Sequence, residues 1–190
     1  MNTINKITFI DIDETLFFTK AKIHVKQSNK LIKKLTNQEF NNYKLQEDEE
    51  FDFIEFRDAE LFAKTSTPNY KMIRILNELE KDNQIVLLTA REDFDNKETF
   101  IKYLKLNGID VGHYKDNKIH VVRSGNIKNK KNTADAKIQM IDKITQKYHL
   151  DKITFYDDCI KNLKAFEDFA EIRNIPYEIY KVHGEEIVNL

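Results

Sequence analysis

The run ITFIDIDETLF occupies residues 7–17. Ile7 to Ile12 is short, apolar and rich in β-branched and aromatic side chains, as a buried strand is, and Asp11 and Asp13 stand at its carboxyl end. Gln84 to Thr89, Lys118 to Val122, Ile153 to Tyr156 and Tyr177 to Val182 have the same character. Helical patterns separate these runs. The alternation predicts an α/β fold in three layers, with a central parallel sheet of five strands covered by helices on both faces.

The helices are marked by their ends. Thr67 as N-cap with Pro68 in the first helical position opens a helix that buries Met72, Ile73, Leu76 and Leu79. Asp95 and Glu98 have capping-box spacing ahead of Phe100, Ile101 and Leu104, and Gly108 closes that helix. Thr133 starts another, with Ile138, Ile141 and Ile144 inward; the last begins just after Asp158, with Ile160, Leu163 and Phe166 on one side.

Leu16 to Ser66 breaks the rhythm, since about fifty residues exceed what a strand-to-helix loop requires. Ile23 and Val25 alternate with Lys22, His24 and Lys26, and a polar turn at Gln27-Ser28-Asn29 leads to Leu31 and Ile32, which predicts a hairpin. Thr36 and Glu39 form a further capping-box pattern before Phe40 and Tyr43; Glu47 to Glu60 is acidic, with Phe51, Phe53, Ile54 and Phe56 interleaved. The expectation is one domain over residues 1–190, with a small α+β cap inserted at about residues 17–66.

At 190 residues, 41% hydrophobic and 33% charged, the chain is long enough for one substantial core. Its 31 basic and 32 acidic side chains nearly cancel, which excludes a global positive field of the kind that drives unselective nucleic-acid binding. Cys159 is the single cysteine, so no intrachain disulfide forms and the expected setting is a reducing cytoplasm. No stretch has the length of a membrane span, and Met1 to Lys6 lacks the makeup of a signal peptide. The five histidines show no metal-ligand spacing, and no obligate protein partner is evident.

In a parallel sheet the ligand crevice lies beyond the carboxyl ends of the strands. Asp11-Ile12-Asp13-Glu14-Thr15, Thr89-Ala90-Arg91 and Asp157-Asp158 all fall at such ends. Converging carboxylates repel unless protons or a cation compensate, and Mg²⁺, held by two or three carboxylates and several retained waters, suits such a cluster and accompanies phosphate chemistry. An aspartate can also attack phosphorus, giving an aspartyl-phosphate that water cleaves. Thr89 and a lysine are candidates to hold the transferred oxygens.

These residues resemble the motifs of the haloacid dehalogenase-like (HAD) superfamily of phosphohydrolases, whose fold is Rossmann-like. FIDIDET at residues 9–15 resembles the first motif, Thr89 in LLTAR the second, and Asp157-Asp158 in FYDD the fourth. Lys137 stands where the lysine of the third motif is expected, with Lys128, Lys130 and Lys131 nearby as alternatives. The resemblance implies Asp11 as nucleophile and Asp13 as the acid that protonates the leaving oxygen and then activates water. It implies Thr89 and Lys137 on the phosphoryl oxygens. Mg²⁺ would be held by Asp11, the main-chain carbonyl of Asp13 and one of the pair Asp157 and Asp158, with Asp158 the direct ligand and Asp157 close by or acting through water.

Arg91-Glu92 is similar to the second motif of the phosphatase domain of phage-type polynucleotide kinase-phosphatases, which implies a substrate role for Arg91. The alternative for Arg91 is a pairing with Glu92 or Asp93. The layout, with its insert after the first strand, also resembles small phage-encoded members of the superfamily. The expected activity is therefore Mg²⁺-dependent phosphomonoester hydrolysis of a nucleotide or a phosphorylated polynucleotide end. The alternatives are a phosphatase of a sugar phosphate or other small metabolite, and a phosphate-ligand binding module of low turnover. Lys20, Lys22, Lys26, Lys30, Lys33 and Lys34 make the hairpin basic; they either guide a polyanion or guard a strand edge against pairing.

Overall fold

In a computed structural model that describes residues 5–112 and 119–190, the side chain of Asn41 aside, the chain begins with β1 (Lys6–Ile10). It then runs through β2 (Phe17–Phe18), β3 (Ile23–Gln27), β4 (Lys30–Leu35), α1 (Asn37–Asn42), β5 (Glu49–Asp52), α2 (Ala59–Thr65) and β6 (Thr67–Pro68). Regular alternation follows: α3 (Tyr70–Leu79), β7 (Gln84–Thr89), α4 (Lys97–Leu106), β8 (Ile119–Arg123), α5 (Thr133–Thr145), β9 (Lys152–Asp157), α6 (Ile160–Ile172), β10 (Tyr177–His183) and β11 (Glu186–Asn189). Lys118, the first residue of the third expected strand, and His113 lie outside the described residues.

The central sheet has the order β11-β10-β9-β1-β7-β8. All neighbours are parallel except β10 and β11, which form an antiparallel hairpin. The sheet thus has six strands where five were expected. The sixth is a short edge strand, Glu186–Asn189, whose side chains are mostly exposed; its apolar stretch is only Ile187 and Val188, too short to mark it. Gly184, at φ +60, sits in the turn before it, a conformation glycine adopts without strain.

Alternate residues of the buried strands face opposite layers. Ile10, Ile85, Leu87 and Ile119 meet Met72, Ile73 and Leu76 of α3 and Phe100 and Leu104 of α4. Ile7, Phe9, Val86, Leu88 and Phe155 meet Ile141 of α5 and Leu163, Phe166 and Phe169 of α6. Full burial of each such side chain contributes about 1.5–3 kcal/mol, and this two-sided burial is what holds the strand ends in fixed relative positions.

Several helix ends differ from expectation. Thr67 and Pro68 are extended and pair with Phe18 and Phe17, so the α3 cap passes to Asn69, whose side chain accepts from the Met72 N–H. Asn96, not Asp95, caps α4; the Asp95 carboxylate instead accepts from the Ala59 and Asn96 N–H groups. Ile160 is half exposed, because the inward face of α6 is set by Leu163, Phe166, Phe169 and Ala170.

Strands β2 and β6 close the base of the inserted segment as an antiparallel pair. Beyond them β4-β3-β5 form a small antiparallel sheet over a core of Ala21, Ile23, Val25, Leu35 and Phe56, flanked by Phe40, Tyr43 and Phe51. Ser28 and Asn29, both at positive φ, make the tight turn between β3 and β4 that matches strand twist. Thr36 and Glu39 form the expected capping box of α1. Helix α2 departs from the expected insert: Phe62 packs in the main core, its ring 5.4 to 5.6 Å from those of Phe17, Phe94, Phe100 and Tyr103.

Part of the hairpin's charge is internally paired. Lys26 reaches Asp52 at 2.5 Å, and Lys34 and His24 both reach Glu55 at 2.7 Å. Burial alone would raise the Glu55 carboxyl, but hydrogen bonds from Lys34, His24 and the Lys22 N–H overcome it and hold the group at about 2. A depressed carboxyl stabilises the fold above its unfolded value, about 4.3, and loses that contribution as pH falls through the folded one. Glu55→Gln is therefore expected to cost about 1–2 kcal/mol at pH 7, with the deficit shrinking between about pH 4.3 and 2. Thermal melts of both proteins across that range check it.

Candidate active site

From β1 the chain reaches β7 on one side, while β9 lies on the other. This reversal opens a crevice at the carboxyl end of β1. Asp11 directly follows β1, its N–H bound to the Tyr156 carbonyl at 2.9 Å. The chain then turns sharply: Leu16 and Phe17 donate to the Ile12 carbonyl, and Glu14 sits at φ +62. Thr89 ends β7 and Asp157 ends β9.

One ammonium links two strand ends. The Nζ of Lys137, on the second turn of α5, donates to Asp11 Oδ1 at 2.5 Å and to Asp157 Oδ2 at 2.7 Å, with all three side chains almost wholly buried. Lys137 is thus the lysine that meets Asp11; Lys130 instead donates to the Gly125 carbonyl at 2.6 Å. Burial opposes charge on Lys137, but Asp11 and Asp157 outweigh it and raise its pKa above the usual lysine range. Burial also raises the Asp11 carboxyl; Lys137 opposes the rise, while Asp157, Asp158 and Asp13 add to it.

The two members of the Asp157-Asp158 pair have different surroundings. Asp157 is fully buried, and Cys159 N–H, Asn162 Nδ2 and Lys137 Nζ all donate to it. Asp158 lines the cavity beside Asp11 and Asp13 and takes part in no ion pair among the described residues. Burial, with Asp157 and Glu14 adding, pushes its carboxyl up to about 7. Asn162 was not anticipated; its place one turn into α6, facing back toward Asp157, is the only signal the sequence holds.

Arg91 is buried and engaged with protein groups. Its Nε and Nη2 grip both Asp13 oxygens at 2.6–3.1 Å, Nη2 also donates to Thr19 Oγ1, and Nη1 donates to the Phe56 carbonyl at 2.8 Å. The guanidinium lies 4.6–5.3 Å from the rings of Phe56, Phe62 and Phe94. The partner of Arg91 is therefore Asp13, not Glu92 or Asp93; Glu92 pairs with Arg57 at 3.5 Å. Fork-shaped donors on both oxygens fix the orientation of a carboxylate.

Thr89 Oγ1 accepts from the Arg91 N–H at 3.1 Å and lies 3.5 Å from Asp13. Behind this loop, Ser124 Oγ donates to the Thr89 carbonyl. A Cβ on Gly125 would lie 2.5 Å from the backbone of Ala90 and Arg91, so only glycine lets the two segments approach this closely. Glu14 accepts from the Thr19 N–H and the Asn37 side chain, a second tie between the insert and the turn after β1.

A cavity of about 290 Å³ opens over this cluster, lined by Asp11, Asp13, Asp158 and Lys137 and by Phe40, Phe53 and Phe56 of the insert. The structure thus brings together Asp11, Asp13, Thr89, Arg91, Lys137, Asp157 and Asp158. Among the described residues no three His, Cys, Asp or Glu side chains form a group suited to holding a metal ion. No helix of the described residues is long and apolar enough to cross a membrane.

The model of HAD domain family 1 in Swiss Army Knife RNA repair proteins matches residues 69–187. The chain belongs to that family. Its HAD domain, of the phosphatase class, carries Thr89, Arg91, Lys137, Asp157 and Asp158 within the matched stretch, whereas Asp11, Asp13 and the inserted segment precede it. No curated protein and no solved structure matches the chain.

Proposed function

We propose that this HAD domain is a Mg²⁺-dependent phosphomonoester hydrolase that acts through an aspartyl-phosphate on Asp11, with a nucleotide or phosphorylated polynucleotide end as substrate. The observation that carries this reading is the Lys137 ammonium bound between buried Asp11 and Asp157 at the inner side of an open cavity. Such an ammonium opposes the protonation that burial favours and aims the carboxylate, as a nucleophile requires.

In this reading an Asp11 oxygen forms a bond to phosphorus as the bond to the leaving oxygen breaks, and Asp13 gives that oxygen its proton. Water then attacks phosphorus, Asp13 takes the water's proton, and the Asp11–phosphorus bond breaks to release phosphate. Arg91 orients Asp13 throughout. Thr89 and Lys137 face the phosphoryl oxygens. The insert acts as a cap that limits water, tied to the chemistry through Phe56 and Thr19 on Arg91.

The donor set suits Mg²⁺: four aspartates, Asp11, Asp13, Asp157 and Asp158, are offset by two buried cations, Lys137 and Arg91. Asp11 and Asp158 would hold the ion together with the Asp13 carbonyl, since Mg²⁺ asks for only one or two carboxylates beside waters and substrate oxygens. Bound there, it would neutralise charge on the phosphoryl group. The saturated surroundings of Asp157 favour a supporting role for it.

The RNA repair proteins in the family's description support a nucleic-acid substrate, as do Arg57 and Lys130 lining the cavity. The ion pairs of Lys26 and Lys34 weigh against the polyanion role for the hairpin; Lys30, Lys33 and Lys34 stand on the outer strand β4, where the edge-guard role applies. The single cysteine supports a reducing cytoplasm as the setting.

Activity is expected to require Mg²⁺ and to be lost in EDTA, and Asp158→Ala should weaken Mg²⁺ binding at least about tenfold, roughly 1.4 kcal/mol, while the fold is kept. Calorimetric Mg²⁺ titration checks it; unchanged affinity would remove Asp158 from the site. A panel of nucleotides, 3′- and 5′-phosphorylated oligonucleotides and sugar phosphates tests the substrate. Preference for sugar phosphates would overturn the nucleotide reading.

A further inference from the structure

The insert's share of the cavity lining is largely apolar, with Ile23, Phe40, Phe53 and Phe56 beside Asn37 and Arg57. These rings are not equivalent. Phe56 is buried and lies against the Arg91 guanidinium at 4.6 Å, so its role is to seat Arg91. Phe40 is half-buried, packed edge-on against Phe51 and Phe53 at 4.8 and 5.6 Å.

Phe53 differs, with 42% of its surface exposed although it lines the cavity. Its ring neighbours Phe40, Phe51 and Phe56 stand at 83°, 54° and 73° to it, so none is stacked parallel on it. The backbone before the short turn Ile54–Phe56 holds it there, with the Ile54 N–H bound to Asp52 Oδ1 at 3.0 Å.

We propose that Phe53, backed by Phe40, is the specificity platform of the site and stacks the base of a substrate whose phosphate sits at Asp11. The proposal rests on the phosphomonoester reading above and adds what the leaving group must be: a nucleoside rather than a sugar or polyol. A sugar's hydroxyls set against Ile23, Phe40 and Phe53 would lose water without gaining partners. A base presents a flat face that covers exposed ring surface, and such stacking is worth about 1–3 kcal/mol. The cavity, about 290 Å³, lies at the low end of small-molecule sites, about 300–1,000 Å³, which suits one nucleotide unit rather than a longer stretch held inside.

Phe53→Leu keeps an apolar side chain and removes the flat ring. The ratio of kcat/KM for a nucleoside monophosphate to that for ribose 5-phosphate is expected to fall at least about fivefold, mainly through KM, and Phe53→Trp to restore it. An equal loss on both esters, or no change in the ratio, overturns the proposal. Binding separates this outcome from failure of the phosphatase reading. In an Asp11→Asn background, Phe53→Leu should weaken calorimetric binding of the nucleoside monophosphate at least about fivefold relative to inorganic phosphate. Should wild type hydrolyse no ester, the phosphatase reading falls, and the binding ratio still judges the platform: an unchanged ratio rejects it.

Discussion

Asp11→Asn is expected to lower phosphatase turnover by at least about 10³-fold, because in the proposed covalent mechanism loss of the nucleophile removes the reaction path rather than a share of binding. The amide still accepts from Lys137, and its neutrality relieves repulsion from Asp157, Asp158 and Asp13, each of which raises the Asp11 carboxyl. The fold should therefore survive, with circular dichroism and melting temperature close to wild type. Steady-state assays at saturating Mg²⁺ check the loss. Turnover within about tenfold of wild type, roughly 1.4 kcal/mol of barrier, would remove Asp11 from the nucleophile role.

Lys137→Met should be damaging in two separable ways. The thioether fills similar space but leaves buried Asp11 and Asp157 without their shared cation, and breaking a buried ion pair by removing one partner costs about 3–5 kcal/mol. For a domain of this size that is a fall of about 6–20 °C in Tm. The pH dependence identifies the cause. Burial already raises the Asp11 carboxyl, and without the ammonium it rises further. A carboxyl raised in the folded state is penalised once pH exceeds its unfolded value, about 3.9, so the deficit should be largest near neutral pH and fade in acid.

Adding Asp157→Asn to Lys137→Met should recover part of the lost Tm. A deficit that is independent of pH and unrelieved by the second change would assign the loss to packing beside Phe155, 5.7 Å from the Lys137 ammonium. Activity should stay low in both variants, since each lacks the cation proposed to hold the transferred oxygens.

Five strands of the central sheet, and the acids at the ends of β1 and β9, were legible in the chain because both signals are local: a short apolar run, then a change to polar side chains at its carboxyl end. Asp11, Asp13, Thr89 and Asp157-Asp158 follow from that pattern and from their order along the chain. The capping box at Thr36 and Glu39 was equally local, three residues apart. Strand β11 was not legible, since two apolar residues, Ile187 and Val188, are too short a run to show a period.

Only tertiary structure decided which groups meet. Lys137 and Asp11 are 126 residues apart, and local sequence offers no distinction between Lys137 and Lys128, Lys130 or Lys131, because burial of an ammonium depends on how α5 packs over the sheet. Arg91 reached Asp13 rather than adjacent Glu92 because β1 and β7 are parallel neighbours whose ends adjoin, while Glu92 pairs with Arg57 of the insert. The same through-space placement put Asn162 on Asp157 and Phe62 of α2 in the main core. Side-chain direction and long-range distance are properties of the packed layers, and periodicity along the chain does not encode them.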